Sequence, residues 1–224
     1  MKVVSRLLAT VVAGLALGAV VPSQAALTLT PVGIAKGFTL SLFVDQVPNT
    51  GFCCGPLGIA TNNIGQIVVQ DWANKTNNVF LDVDNQHFSA KLSSAAFGAS
   101  SYGSALTNSG GTLYATQNDV GKVFTLNPDG SVNAPLTAAG AGGHGIWTNP
   151  ITGHLAAATG SAINDINPTT GAFTPIVSNI DVDGVSVAAD GSVVYGATGG
   201  HVFGWNYTTG ALVYDSGGIG SPES

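Results

Sequence analysis

The chain has 224 residues, with six basic against twelve acidic side chains, a net charge of −6, 8% charged residues, 45% hydrophobic residues and 31 glycines. This composition excludes a charged disordered tail, a coiled coil and a collagen-like rod. Arg6 is the only arginine, and no basic cluster stands ready to neutralise several phosphates, so nucleic acid is excluded as an expected partner.

The first segment reads as an address. Lys2 and Arg6 form a positive start, Leu7 to Val21 is apolar apart from Thr10 and glycines, and Ser23-Gln24-Ala25 supplies small residues for a signal peptidase. The alternative is a membrane anchor, but fifteen residues fall short of the roughly 20 a span needs. Removal of residues 1–25 leaves four lysines against twelve acids, a charge of −8. No later segment is long and apolar enough to span a bilayer. The expected product is exported, to the periplasm or outside the cell.

The remainder repeats. Gly58, Gly103, Gly145 and Gly184 each open an apolar stretch, at spacings of 45, 42 and 39 residues. A second glycine follows each of them (Gly65, Gly111, Gly153, Gly191), after a turn-forming stretch that suits a positive φ. Then come a small-residue or β-branched strand such as Gln66–Gln70 or Thr112–Thr116, a third strand such as Val123–Leu126 or Val202–Trp205, and a turn. Three of these turns share one type: Asn127-Pro128-Asp129-Gly130, Asn167 to Gly171 and Asn206 to Gly210. A fourth, variable strand leads to the next anchor, and Thr39–Val44 stands in that place before Gly58. Four short strands per unit of about 40 residues predict β-propeller blades. A sandwich or a parallel β-helix is the competing all-β solution, and a sandwich would not repeat this whole four-strand phrase.

The phrases Gly-Pro-Leu-Gly-Ile-Ala (55–60), Gly-His-Gly-Ile-Trp-Thr-Asn-Pro-Ile-Thr-Gly-His-Leu (143–155) and Asp-Gly-Val-Ser-Val-Ala-Ala-Asp-Gly-Ser-Val-Val-Tyr (183–195) resemble six-bladed propellers of the SMP-30/gluconolactonase-like or NHL-like type. The resemblance covers roughly residues 38 to 220 and implies a six-bladed ring. Four full blades are visible here, with Ala211–Tyr214 expected to open a fifth. The expected organisation is a signal peptide, 1–25, a lead-in, 26–37, and an incomplete propeller domain, 38–224.

Residues just before each innermost strand collect at one mouth of a propeller channel. Here they are Cys53, Cys54 and Leu57, then Ser101 and Tyr102, then His144, and finally Asp181 and Asp183. In the lactonase-type family a divalent metal such as calcium sits there, and Asp183-Gly184 matches that family's Asp-Gly ligand phrase. Cys54-Gly55-Pro56 and His144-Gly145 stand where the family has Glu and Asn, so the metal set departs at two of three places. A softer zinc or copper site from His144, Asp183 and Cys54 is a second option. The blander reading makes His144 a hydrogen-bonded turn histidine and makes Asp181 and Asp183 turn caps. His87, His154 and His201 occupy different blade positions and are not expected to converge.

Cys53-Cys54 has three readings: a vicinal disulfide stiffening the rim, two free thiols, or a redox or ligand role. Adjacent Cα atoms lie ~3.8 Å apart, below the usual disulfide range. A bridge predicts a mass about two units below the reduced protein; titration of two thiols in native protein would contradict it. Two functions follow from these residues. One is a non-catalytic module binding a protein or glycan through its rim and its exposed-loop aromatics Trp72, Tyr102 and Tyr207. The other is a metal-dependent lactonase-like hydrolase with Asp183 as ligand and His144 as general base.

Overall fold

The computed structural model describes residues 28–48, 55–98 and 103–219. The export segment, Cys53, Cys54, Ser101 and Tyr102 therefore lie outside the described residues. The chain divides after Leu40 into two compact units. The described part of the first is one helical turn, α1 (Pro31–Ala35). Thr30 opens it, its Oγ1 accepting from Gly33 N at 3.1 Å, and Pro31 stands where its missing N–H costs nothing.

The second unit begins with β1 (Val44–Asp45) and continues as four antiparallel sheets of four strands. The first blade holds β2 (Pro56–Thr61), β3 (Ile67–Asp71) and β4 (Thr76–Phe80). Next come β5 (Gln86–His87), which pairs in parallel with β1, and the outer strand β6 (Ser93–Ala96). The second blade is β7 (Gly103–Ser109), β8 (Thr112–Gln117), β9 (Lys122–Leu126) and β10 (Val132–Pro135). The third is β11 (Ile146–Thr148), β12 (Leu155–Ala158), β13 (Ala162–Ile166) and β14 (Phe173–Ser178). The fourth is β15 (Val185–Val187), β16 (Val193–Thr198), β17 (His201–Asn206) and β18 (Leu212–Asp215). The innermost strands β2, β7, β11 and β15 lie side by side in chain order, which is a propeller arrangement.

Two strands settle differently from the repeat count. The segment Ala211–Tyr214, expected to open a fifth blade, pairs with β17 and completes the fourth. The segment Thr39–Val44 contributes only its end to β1, which joins β5 and no four-stranded sheet. Counting from the anchor glycines placed one outer strand ahead of each anchor. Hydrogen bonding assigns it to the blade it follows.

The turns form for a local reason. Side-chain oxygens of Asn62, Asn149, Asn167 and Asn206 accept backbone N–H groups two to four residues on, at 2.9–3.3 Å. The glycine that ends each such turn takes φ between 67° and 76° (Gly65, Gly153, Gly171, Gly210), where an L side chain is strained. Asp129 and Asp190 do the same work, each accepting from the backbone and hydroxyl of a serine two residues later. Those bonds hold both carboxyls below their ordinary pKa. Folded-state values below the unfolded ones stabilise above the usual carboxylate pKa and lose that effect as pH falls through the folded value. Acid melts of the Asp129→Asn/Asp190→Asn double variant are therefore expected to show a shallower fall in Tm below about pH 4 than the parent.

Apolar clusters lie between successive blades. Val68, Val79, Leu106 and Leu113 join the first two, Tyr114, Val123, Ile146 and Leu155 the next, and Ile163, Val182, Val194 and Trp205 the last pair. Polar ties cross the same seams: Asn77 Nδ2 donates to Gly130 O at 2.8 Å, Thr107 and Thr148 hydroxyls meet at 2.8 Å, and Asn149 Nδ2 donates to Gly191 O at 3.2 Å. Strands sandwiched this way are buried on both faces, which accounts for a sequence with so few charges.

Candidate functional site

His144 and Asp183 occupy the same place in successive blades, each one residue before its anchor glycine, and the structure brings them together. His144 Nδ1 bonds Asp183 Oδ1 across the seam between the third and fourth blades. Neighbouring strands and the Gly145 backbone hold both residues. Thr116 Oγ1 donates to His144 O at 2.5 Å, His144 N donates to Ala158 O at 3.0 Å, and Gly145 N donates to Asp183 O at 2.6 Å. The imidazole lies against Gly160, where an added Cβ would sit 3.4 Å from Cε1 and Nε2 and 3.7 Å from Asp181 Oδ1. Asp181 thus borders the same floor. The His144 side chain is 27% exposed and that of Asp183 62% exposed.

A carboxylate on Nδ1 selects the tautomer with hydrogen there and leaves Nε2 as the ring's remaining polar atom. The pair therefore presents an imidazole edge beside an exposed carboxylate. Leu57 is placed differently from expectation. It lies within β2 and lines an apolar cavity of about 320 Å³ with Phe43, Val44, Ile59, Phe80 and Phe88. Tyr207, expected on an exposed loop, is instead half-buried, its hydroxyl donating to Asp165 at 2.8 Å. Trp72 is half-buried as well. Trp147 on β11 is an exposed aromatic that the sequence reading missed, at 49%, as is Tyr214 on β18.

The other histidines each hold an aspartate of their own: His87 with Asp45 at 2.6 Å, His154 with Asp165 at 2.9 Å, and His201 with Asp215 at 2.7 Å. They belong to three different parts of the fold, as their blade positions implied. Among the described residues no group of three or more His, Cys, Asp or Glu lies close enough to hold a metal ion. The described donors at the rim fall short of the six or more oxygens calcium takes, and Asp183 is engaged by His144. Among the described residues no helix is long and apolar enough to cross a membrane.

The fold defines a β-propeller. No family model and no curated protein matches the chain. Similar solved structures include a 6-phosphogluconolactonase-like protein from Bacteroides uniformis, at 20% identity and TM-score 0.52, covering 80% of this chain and 58% of that one. A streptogramin B lyase matches at 17% identity and TM-score 0.55, over 72% and 54% of the two chains. The nidogen/laminin complex matches at 12% identity and TM-score 0.57, over 69% and 62%. The chain thus spans between half and two-thirds of these structures, and at such identities the likeness shows the fold alone.

Proposed function

We propose that this chain is an exported β-propeller binding module whose rim takes a protein or glycan partner. The observation that carries this reading is the His144–Asp183 pair. Hydrogen bonds from strands β8 and β12 and from Gly145 fix it in place, yet the carboxylate remains largely open to solvent. Fixed acceptors of this kind suit hydroxyl and amide donors, and preorganisation spares the entropy of ordering them on binding. Exposed Trp147 adds an aromatic face of the sort enriched at recognition surfaces. Among the similar structures, one is a complex between two proteins and two are named for enzymes, so both functional classes occur on this scaffold.

The test is binding of the full chain to glycan and peptide microarrays, followed by titration of any hit. His144→Ala and Asp183→Asn are each expected to weaken it by roughly tenfold or more, about 1.4 kcal/mol, without lowering Tm. Binding indifferent to both changes would refute a rim site.

The second reading, a lactonase-like hydrolase, rests on the same pair, because a carboxylate that orients an imidazole is also how a general base is held. Metal analysis separates the two. Stoichiometric calcium or zinc, lost on Asp183→Ala together with lactone hydrolysis, supports the enzyme.

A further inference from the structure

We propose that a cleft between the first and second blades binds one neutral sugar ring. It lies past the far ends of the inner strands, whereas His144 and Asp183 precede their near ends, so it does not depend on that pair.

Each inner strand runs out into a turn, at residues 62–65, 108–111, 149–153 and 188–191. At the later two seams the turn of one blade fills the space against the next. Ser109 Oγ donates to Gly153 O at 2.7 Å, and a Cβ added at Gly191 would fall 2.6 Å from Asn149 Oδ1 and 3.0 Å from Ile151 Cγ1. At the first seam the corresponding glycine is Gly111. A Cβ there would meet only Asn63 Cβ, at 3.5 Å. Beside it opens a cleft of about 210 Å³.

Asn63, Thr112 and Asn133 line the cleft together with Leu113, Leu126 and Pro128. Among the described residues the side chains of Asn63 and Thr112 make no hydrogen bond. Asn133 makes one long bond, from Nδ2 to Thr125 Oγ1 at 3.4 Å. It is the extra residue of a bulge between β10 and β9, a device that re-aims a side chain. The walls are fixed by bonds made in both directions across the seam. Asn62, 4% exposed, spends its amide hydrogens on Gln66 Oε1 at 3.0 Å and on Pro128 O of the second blade at 2.9 Å. Asn108 Nδ2 donates back to Thr61 O of the first blade at 2.7 Å. The cleft is thus preorganised, and its unspent amides stay available.

The lining names the ligand class. A primary amide offers two donors and one acceptor group, which suits neighbouring hydroxyls that each donate and accept. Buried Leu113 and Leu126, with Pro128, supply an apolar surface for the C–H face of a pyranose. No lining residue is charged, and Asp129 follows Pro128, so an anionic sugar is disfavoured. The volume falls below the roughly 300 Å³ at which sites for drug-sized ligands begin, which limits the occupant to one ring.

Saturation-transfer NMR of the full chain with the methyl glycosides of glucose, galactose, mannose and N-acetylglucosamine is expected to show transfer to at least one of them. The methyl glycoside of glucuronic acid should bind more weakly. Titrating the bound glycoside into ¹⁵N-labelled protein should shift Gly111 and the side-chain amides of Asn63 and Asn133, and leave Gly145 and Gly184 unmoved. Asn63→Ala and Thr112→Val should each raise the dissociation constant by about fivefold or more, the loss of one hydrogen bond, with Tm unchanged. His144→Ala should leave it as it is, which separates this cleft from the rim. No transfer to any of the four glycosides, equal binding of the glucuronic acid glycoside, shifts at Gly145 and Gly184 in place of Gly111, or an affinity indifferent to Asn63→Ala and Thr112→Val would each overturn the proposal.

Discussion

Gly171→Ala is expected to destabilise the protein by about 3 kcal/mol, a large part of the 5–15 kcal/mol available to an ordinary domain. Two costs add. Gly171 has φ of 70°, and an alanine there carries the left-handed penalty of roughly 1–2 kcal/mol. Its Cβ would also fall 1.9 Å from Leu136 O, a backbone atom of the second blade that no rotamer change can move aside. Forcing the two blades apart adds overpacking strain of about 1–3 kcal/mol. Gly65→Ala provides the control, with φ of 76° and nothing within 4 Å. It should show the backbone penalty alone. Urea midpoints of the two variants isolate the seam, and equal losses would mean that the turn of the third blade does not press on the second.

Asp165→Ala is expected to cost about 2 kcal/mol, because two donors lose one acceptor. His154 Nδ1 lies 2.9 Å from Asp165, within the third blade, and the Tyr207 hydroxyl reaches it at 2.8 Å from the fourth. Burial first, and the bond to Asp165 second, push the Tyr207 hydroxyl well above the ordinary tyrosine range. A folded-state value raised above the unfolded one means that this contribution is complete below the unfolded pKa and is lost as pH rises through the folded value. Stability should therefore begin to fall above about pH 10, and Tyr207→Phe should flatten that fall. In a double-mutant cycle the Asp165→Ala and Tyr207→Phe losses should overlap by about 1 kcal/mol. Strict additivity would show that the bond carries no weight across the seam.

Much of the fold was legible because propeller turns are made by local chemistry. An asparagine oxygen capping the N–H groups just ahead of it, and a glycine at positive φ, leave a trace within five residues of sequence. Repetition of that trace every 39 to 45 residues located the blades. The same repetition put His144 and Asp183 at equivalent points of successive blades, since each precedes its anchor glycine. It did not show that they bond, because the bond depends on how far one blade is rotated from the next. Outer strands were harder for a related reason: Ala211–Tyr214 and Thr39–Val44 occupy the same point of the phrase, and only hydrogen bonding decides which sheet takes them.

Sequence alone thus determined what is encoded between neighbouring residues: the all-β class, the four-stranded unit, the turn types and the burial of a chain nearly free of charge. Tertiary structure decided what depends on residues a whole blade apart. It turned Tyr207 inward to Asp165, 42 residues away, made Asp183 the partner of His144, and filled the space above Gly145 with the inner strand of the fourth blade. The physical reason is the difference in range. Backbone conformation answers to side chains within a few positions, whereas packing between blades is a property of two surfaces that chain order brings together only once both have folded.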